Sequence, residues 1–440
     1  MSLTTRPSIV PDLTNGVRAD GRGDAVHRDT DRGDIDLAAR AARAAIGALA
    51  RRYVRWGRLR IIDDLGVLDA GPGGDEAPDV TVRVLEPGAY TELARHGSVG
   101  LGDGYTFGWW DTDDLPGLVR ILARTIEPFD QGREGLERRL RPVMAPLRVL
   151  RASGERRRQR DRENIGAHYD VGNDFFRRIL DETLTYSAAL FGPTTTDLAD
   201  AQRAKLDRLC DLAEIGPDDH VLEIGTGWGS FALRAASERG CRVTTTTISA
   251  EQHRHAVEAV AAAGLADRVT VLEADWRDLS GTYDKIVSVE MIEAVDHREH
   301  AAFLKALDRL VRPDGLVALQ AITIADQRYE RAKHTDDFIK SRIFPGGCLP
   351  SVARLVDVAT TRTALRPMQL DDLTADYAET LRRWRANLDA RSAEIVALGY
   401  PDEFVRLFRF YFAYCEAAFT ERRIGSIHLV LAGPERRVTV

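Results

Sequence analysis

Val221-Leu222-Glu223-Ile224-Gly225-Thr226-Gly227-Trp228-Gly229-Ser230 is the stretch from which this chain is read. A short apolar run carries an acid, three glycines alternate with other residues, and Phe231-Ala232-Leu233-Arg234-Ala235-Ala236 continues with helical spacing. Glycine permits a sharp turn from strand to helix and lets main chain approach a ligand closely. The spacing is G-x-G-x-G rather than the G-x-G-x-x-G that seats a pyrophosphate, so a dinucleotide is not the expected guest.

The flanking pattern extends this unit. Residues 220–224 predict a strand and 230–239 a helix closed by Gly240. Residues 242–248 are rich in β-branched side chains and predict a second strand, with a helix over 250–263 closed by Gly264. Strands follow at 268–272 and 285–290. An amphipathic helix over 299–311 should end at Pro313-Asp314-Gly315, before a strand over 316–324. Strands alternating with helices predict an α/β, Rossmann-like, doubly wound parallel sheet covered on both faces. In such sheets ligands bind at the carboxyl ends of the strands.

Composition sets the frame. The chain has 440 residues, 44% of them hydrophobic and 29% charged, which fits two or three globular domains. No apolar run approaches the ~18 residues of a membrane span, and the polar N-terminus lacks a signal-peptide core. Cys210, Cys241, Cys348 and Cys415 are far apart, which predicts neither a disulfide framework nor a zinc site. The expectation is a cytoplasmic protein.

A formal net charge of −7 argues against a general nucleic-acid binder. Residues 133–162 nevertheless hold eleven arginines against four acids, densest at Arg156-Arg157-Arg158-Gln159-Arg160. Two readings stay open: a solvated helical connector, or attraction to an anionic membrane surface. Residues 1–34, rich in Asp, Arg, Gly and Thr, are expected to be disordered. Residues 35–140 predict a small mixed domain with a helix opening at Leu37 and a strand at Val80-Thr81-Val82-Arg83-Val84-Leu85. A basic linker spans 141–162, and the large domain runs from 163 to 440.

Two further features lie at strand ends. The second strand closes with Thr247 and is followed by Gln252, where many nucleoside-binding sheets carry an acid. A neutral Thr/Gln pair can both donate and accept, though a threonine-rich strand before a capped helix gives the same pattern. After the third strand, Trp276 sits in a polar turn. A flat aromatic there can serve as a platform for adenine or can pack on its own domain.

The glycine loop resembles motif I of class I S-adenosylmethionine (SAM) methyltransferases, and longer motifs sharpen the resemblance. Gly166-Ala167-His168-Tyr169-Asp170-Val171-Gly172-Asn173-Asp174-Phe175-Phe176 and Leu184-Thr185-Tyr186-Ser187 resemble the opening motifs of the cyclopropane fatty acid synthase family, which includes the mycolic acid cyclopropane synthases. Ser288-Val289-Glu290-Met291-Ile292-Glu293-Ala294-Val295, Phe344-Pro345-Gly346-Gly347 and the run from Tyr411 to Phe419 follow in the family's order. The likeness covers about residues 163–433, and Leu101-Gly102-Asp103-Gly104-Tyr105-Thr106-Phe107-Gly108-Trp109-Trp110 resembles the N-terminal domain of the longer bacterial members.

The resemblance implies roles for particular residues. Tyr169, Tyr186 and Ser187 would close over SAM, and Gly225, Thr226 and Gly227 would let main chain approach it. Thr247 and Gln252 would take the ribose and Trp276 the adenine. Glu293, Tyr411, Gln320 and Ile322 match positions around a bicarbonate ion that serves as base. Two family positions differ: the expected cysteine is Ala188 and the expected histidine is Gln320. Bicarbonate is therefore an expectation attached to an altered anion site.

The implied reaction methylates the cis double bond of an unsaturated, oleoyl-like phospholipid chain. An alkene is a weak nucleophile, so its π face must be held in line with the sulfonium methyl while water is excluded. Transfer leaves a carbocation that the faces of Tyr186, Tyr411 and Phe344 can stabilise. Direct proton loss from the added methyl closes a cyclopropane. Loss after a hydride shift gives a methylene branch, which a separate reductase can convert to a methyl branch of the 10-methyl type. The altered anion site tilts the expectation slightly toward the methylene. The same resemblance implies a homodimer, working peripherally at the inner face of the cell membrane. A small-molecule N-methyltransferase of the same superfamily is the alternative.

Overall fold

The computed structural model describes residues 25–126, 171–193, 195 and 197–437, with backbone alone over 25–36. The segment 1–24, the basic linker 141–162 and the motif residues Gly166–Asp170, Tyr169 among them, lie outside the described residues.

The N-terminal unit opens with helix α1 (Ala25–Tyr53), so the helix expected at Leu37 begins twelve residues earlier, inside the segment expected to lack structure. Strands β1 (Arg58–Asp63), β2 (Gly66–Ala70), β3 (Asp79–Val84) and β4 (Trp110–Thr112) form a sheet in the order β2-β1-β3-β4. Helices α2 (Gly88–His96) and α3 (Ser98–Thr106) follow β3, and residues 115–126 form α4.

The large domain carries a seven-stranded sheet ordered β10-β11-β9-β8-β5-β6-β7. Its strands are β5 (His220–Ile224), β6 (Arg242–Thr247), β7 (Val269–Glu273), β8 (Tyr283–Val289), β9 (Val311–Ile324), β10 (Arg366–Asp372) and β11 (Ile424–Ala432). Strands β7, β6, β5, β8 and β9 pair in parallel, whereas β11 runs antiparallel to both β9 and β10. The doubly wound α/β expectation is met. The chain leaves β5 toward β6 and β7, then returns to its other side at β8. This reversal opens a crevice at the carboxyl ends of β5 and β8, where such sheets bind ligands.

The helices form where the sequence marks their ends. Asp197 accepts from Ala199 N and Asp200 N at the start of α6 (Leu198–Leu212), after the short α5 (Asn173–Ile179). Helix α7 (Ser230–Arg239) stops at Gly240, whose φ of 71° suits glycine. Ser249 caps α8 (Ala250–Ala262) by accepting from Gln252 N.

One boundary differs from expectation. Helix α9 (His300–Leu310) passes straight into β9 at Val311, so Pro313-Asp314-Gly315 lies inside a strand rather than ending a helix. The register on β8 jumps from Tyr283↔Val311 to Lys285↔Leu316, which makes these turn residues an irregularity within the ladder.

The remaining helices cover the β9 side: α10 (Asp326–Ala332), α11 (Phe338–Arg342), α12 (Val352–Arg362), α13 (Thr374–Ala390), α14 (Ser392–Ala397) and α15 (Asp402–Thr420). Helix α15 is the hinge of the packing. Its Phe410 stacks edge-on with Phe338 at 4.7 Å, and both rings sit where a side chain on Gly102 of α3 would fall. The small domain is thereby keyed onto the large one.

Candidate active site

At the carboxyl end of β5, Gly225, Gly227 and Gly229 have φ values of 102°, 53° and 93°, a region costly for other residues. A Cβ on Gly225 would meet Met291 at 3.3 Å, so the glycine loop rests directly on the segment after β8. A Cβ on Gly227 would meet no atom of the described residues within 4 Å. Thr226 faces inward: its hydroxyl bonds Thr245 Oγ1 at 2.7 Å, and Thr245 donates to Glu223 Oε2 at 2.6 Å. Burial pushes the Glu223 carboxyl up to about 8 against that hydrogen bond and the nearby Lys205 charge. Thr226 thus anchors the loop rather than presenting its hydroxyl to the crevice.

At the end of β6, the Thr247 hydroxyl donates to Gln252 Oε1 at 2.9 Å and accepts from Ser249 N at 3.1 Å. The pair expected at the ribose is joined, and the bond fixes which end of the Gln252 amide points away. Trp276 starts a short turn after β7 and is 8% exposed. Its ring packs edge-to-face on Phe303 at 5.3 Å, and the Arg277 guanidinium lies 4.4 Å from its centroid. In this conformation Trp276 packs on its own domain, and adenine on the same ring face would have to displace Arg277.

The other wall begins where β8 ends. Glu290 has a φ of 48°, unusual for a side chain larger than glycine. Its Oε1 accepts from Ala188 N at 2.9 Å and from Gln320 Nε2 at 2.8 Å. Its Oε2 accepts from the Tyr377 hydroxyl at 2.6 Å. Gln320 Oε1 in turn bonds His428 Nε2 at 3.0 Å, which requires that nitrogen to carry the proton. Burial depresses the His428 pKa to about 3, so the ring is neutral and orients the glutamine.

Glu293 lies one 3-10 turn further on. Its Oε1 accepts from Ile322 N, and its buried Oε2 has no hydrogen-bond partner among the described residues. Burial, then the neighbouring Glu290 charge, pushes its carboxyl up to about 8. Above these acids the Tyr186 hydroxyl donates to Tyr411 at 3.1 Å. Phe176, Trp384 and Phe344 complete an aromatic wall, with ring centroids 5.2 and 5.0 Å from Tyr186 and 5.9 Å from Tyr411. Ser187 accepts from the buried Lys205 Nζ at 2.7 Å, and burial lowers that lysine's pKa to about 8.

The contacts join Tyr186 to Tyr411 and Glu293 to Ile322, set Gln320 and the residue after Ser187 on Glu290, and bring the glycine loop onto the same segment through Met291. Sequence reasoning missed Glu290, Tyr377, His428 and Lys205. Glu290 stood inside a quoted motif, but the left-handed backbone that turns its carboxylate onto Ala188 leaves no mark in sequence. Lys205 did leave one: with Ala201 and Leu209 it lies on the buried stripe of α6, where an unpaired lysine is costly.

The residues present fit SAM, since the loop at Gly227 has room where a side chain would intrude and an aromatic wall lies across from it. They do not fit bicarbonate. Ala188 N and Gln320 Nε2 are spent on Glu290, and Ile322 N is spent on Glu293. A further anion at these donors would have to displace the Glu290 carboxylate.

Comparison with known proteins agrees with this geometry. The family model described as mycolic acid cyclopropane synthetase matches residues 156–429. Tuberculostearic acid methyltransferase UfaA1 of Mycobacterium tuberculosis is 40% identical over 388 residues, covering 86% of this chain and 89% of that protein. Cyclopropane-fatty-acyl-phospholipid synthase of Escherichia coli is 34% identical over 346 residues, covering 78% and 85% respectively. Among solved structures, mycolic acid cyclopropane synthase CmaA1 complexed with SAH and CTAB aligns with a TM-score of 0.57 at 30% identity, over 62% of this chain and 98% of that one. With its doubly wound sheet, glycine loop and acid-lined crevice, the chain belongs to the mycolic acid cyclopropane synthetase family of SAM-dependent methyltransferases.

Proposed function

We propose that this enzyme methylates the cis double bond of an oleoyl-like acyl chain on a phospholipid, giving a methylene or methyl-branched chain of the 10-methyl type or a cyclopropane. The observation that carries the proposal is the pairing of an aromatic wall with two carboxylate side chains, Glu290 and Glu293, directly beside the glycine loop. Bound SAM would supply an electrophilic methyl. The chain's own residues would do the rest. Tyr186, Tyr411 and Phe344 would exclude water and face the developing carbocation, and the acids would provide the route by which a proton leaves.

Gly225 and Gly227 are proposed to admit the cofactor, Thr247 and Gln252 to meet its ribose, and Tyr186 and Ser187 to close on its methionine end. Tyr169 and Trp276 keep their proposed roles from the resemblance alone. The M. tuberculosis and E. coli relatives both carry fatty-acid names, which favours an acyl substrate over the small-molecule amine alternative. The altered residues at 188 and 320, with a relative named for a 10-methyl fatty acid, favour the methylene or methyl-branched product.

The proposal extends to a peripheral encounter with the membrane that holds the substrate. None of the helices among the described residues is long and apolar enough to cross a membrane. The arginine-rich segment around Arg156 supports electrostatic docking, with each cation near the lipid surface contributing about 1 kcal/mol. Replacing Arg156, Arg157, Arg158 and Arg160 with Gln should weaken co-sedimentation with anionic vesicles at low salt; equal sedimentation of both forms would remove the docking role. A homodimer and a separate reductase acting on a methylene product are carried over from the resemblance.

The test is expression in an oleate-fed host lacking its own synthase, followed by gas chromatography–mass spectrometry of fatty-acid methyl esters. A new ester heavier by one CH2 unit is expected. Retention time distinguishes branch from ring, and an unchanged ester profile would refute acyl methylation.

A further inference from the structure

We propose that the Glu290 carboxylate is the resident anion of this active site, held by Ala188 N, Gln320 Nε2 and Tyr377 Oη, and that it takes the proton in place of bicarbonate. This rests on the acyl-methylation reading above and deepens it. The two positions at which the sequence departs from the family pattern, 188 and 320, are two of the positions that hold this carboxylate. Gln320 supplies a side-chain amide donor, the backbone amide at 188 supplies a second that any residue there would keep, and Glu290 supplies the charge both donors face.

Three observations converge. Both carboxylate oxygens are occupied by donors at 2.6–2.9 Å, which favour the ionised form; burial still outweighs them and holds the Glu290 carboxyl above the usual range, toward the pKa of a working base. Those donors are themselves fixed, Gln320 by neutral His428 and Tyr377 by its stacking on Phe419 at 4.4 Å. The third is the backbone. Glu290 holds a φ of 48°, where glycine would be unstrained, and strain of this kind gathers at functional sites. Burial raises the Tyr186 and Tyr411 hydroxyls above their ordinary range, and the Glu290 charge adds only the smallest of the contributions.

The step balances without an added ion. The alkene π pair forms a bond to the methyl carbon while the carbon–sulfur pair stays with sulfur, leaving a cation on the adjacent carbon. A C–H bond then breaks. Its electron pair closes the ring, or forms the methylene double bond after the hydride shift, and its proton passes to Glu290. The resulting carboxylic acid later returns that proton to solvent.

Glu290→Gly relaxes the backbone and opens a pocket of carboxylate size, so it is the decisive variant. The wild-type protein should turn over equally in carbonate-free buffer and in added bicarbonate, and calorimetry should detect no saturable bicarbonate binding. Glu290→Gly should lose about 100-fold or more in turnover, bind bicarbonate or formate, and regain activity when either is added. Glu290→Gln, which fills the pocket with an amide, should lose activity without rescue and remains informative if the glycine variant fails to fold. Wild-type turnover that requires bicarbonate, or either variant at wild-type rate in carbonate-free buffer, would overturn the proposal. Absence of any methylated lipid from the wild type would instead refute the acyl reading, while the bicarbonate titrations would still report on the anion site.

Discussion

Glu293 and Glu223 are both raised to about 8 by burial, yet their settings differ. Glu293 has one oxygen on Ile322 N and the other without a partner among the described residues, a carboxyl placed to exchange a proton. Glu293→Gln should leave SAM affinity within a few-fold of wild type and lower turnover by about 10²–10⁴; calorimetry and product formation measure the two separately. Turnover at the wild-type rate would mean that the proton taken up by Glu290 leaves by a route that does not need this side chain. Glu223 is bonded to Thr245 and braces the loop from behind. Its folded pKa lies above the unfolded value, so between about pH 4.5 and 8 the folded state holds a proton that the unfolded state has released. Stability therefore falls as pH rises through that window, by up to about 1.4 kcal/mol per pH unit. Glu223→Gln keeps an acceptor for Thr245 but removes the titration. Its stability relative to wild type should rise between pH 5 and pH 8 in urea unfolding, and a constant difference would contradict the assignment.

Among elements, the β5–α7 turn was the most legible in sequence because three constraints coincide there: a strand's apolar run, glycines at left-handed positions and a helix-forming continuation. Gly227→Val places a β-branched side chain at a φ of 53°, with no atom of the described residues within 4 Å of its Cβ. It should abolish SAM binding by calorimetry while the far-ultraviolet circular dichroism persists; unchanged affinity would mean the loop does not meet the cofactor. The boundary at α9 and β9 was misread for a physical reason. Pro-Asp-Gly is a turn signal wherever it occurs, and here the turn is absorbed within a strand because β8 tolerates a register jump opposite it. The acid wall was half legible. Glu293, Gln320 and Tyr411 stand in motifs that resemble a family, whereas Tyr377 on α13 and His428 on β11 join Glu290 only through long-range packing that no local pattern encodes.

For the whole molecule, the small domain is more than an appendage. Arg342 on α11 is 3% exposed and grips Asp103 of α3 through two hydrogen bonds at 2.7 and 2.6 Å. Gly102, next to it, lets Phe338 and Phe410 fill the seam. The sequence marked 101–110 by resemblance, but nothing in it indicated that these residues face α11 and α15. Arg342→Ala leaves the half-buried Asp103 carboxylate without these two hydrogen bonds and should cost about 1.5–3 kcal/mol, read as a lowered urea midpoint. A midpoint within error of wild type would mean the seam carries little of the stability. Because α15 also carries Tyr411, loosening this seam should lower turnover together with stability.

Methyl transfer from SAM to an acyl chain, followed by loss of a proton from that methyl, is the chemistry on which the proposed function stands. The most direct measurement incubates the purified full-length protein with dioleoyl phospholipid vesicles and SAM bearing a fully deuterated methyl group, then analyses the ester-released fatty acids by mass spectrometry. Label is expected in the acyl chain, with one deuteron fewer than the donated methyl carried. Label confined to an amine, with every deuteron retained, or no label in the acyl chain at all, would contradict it.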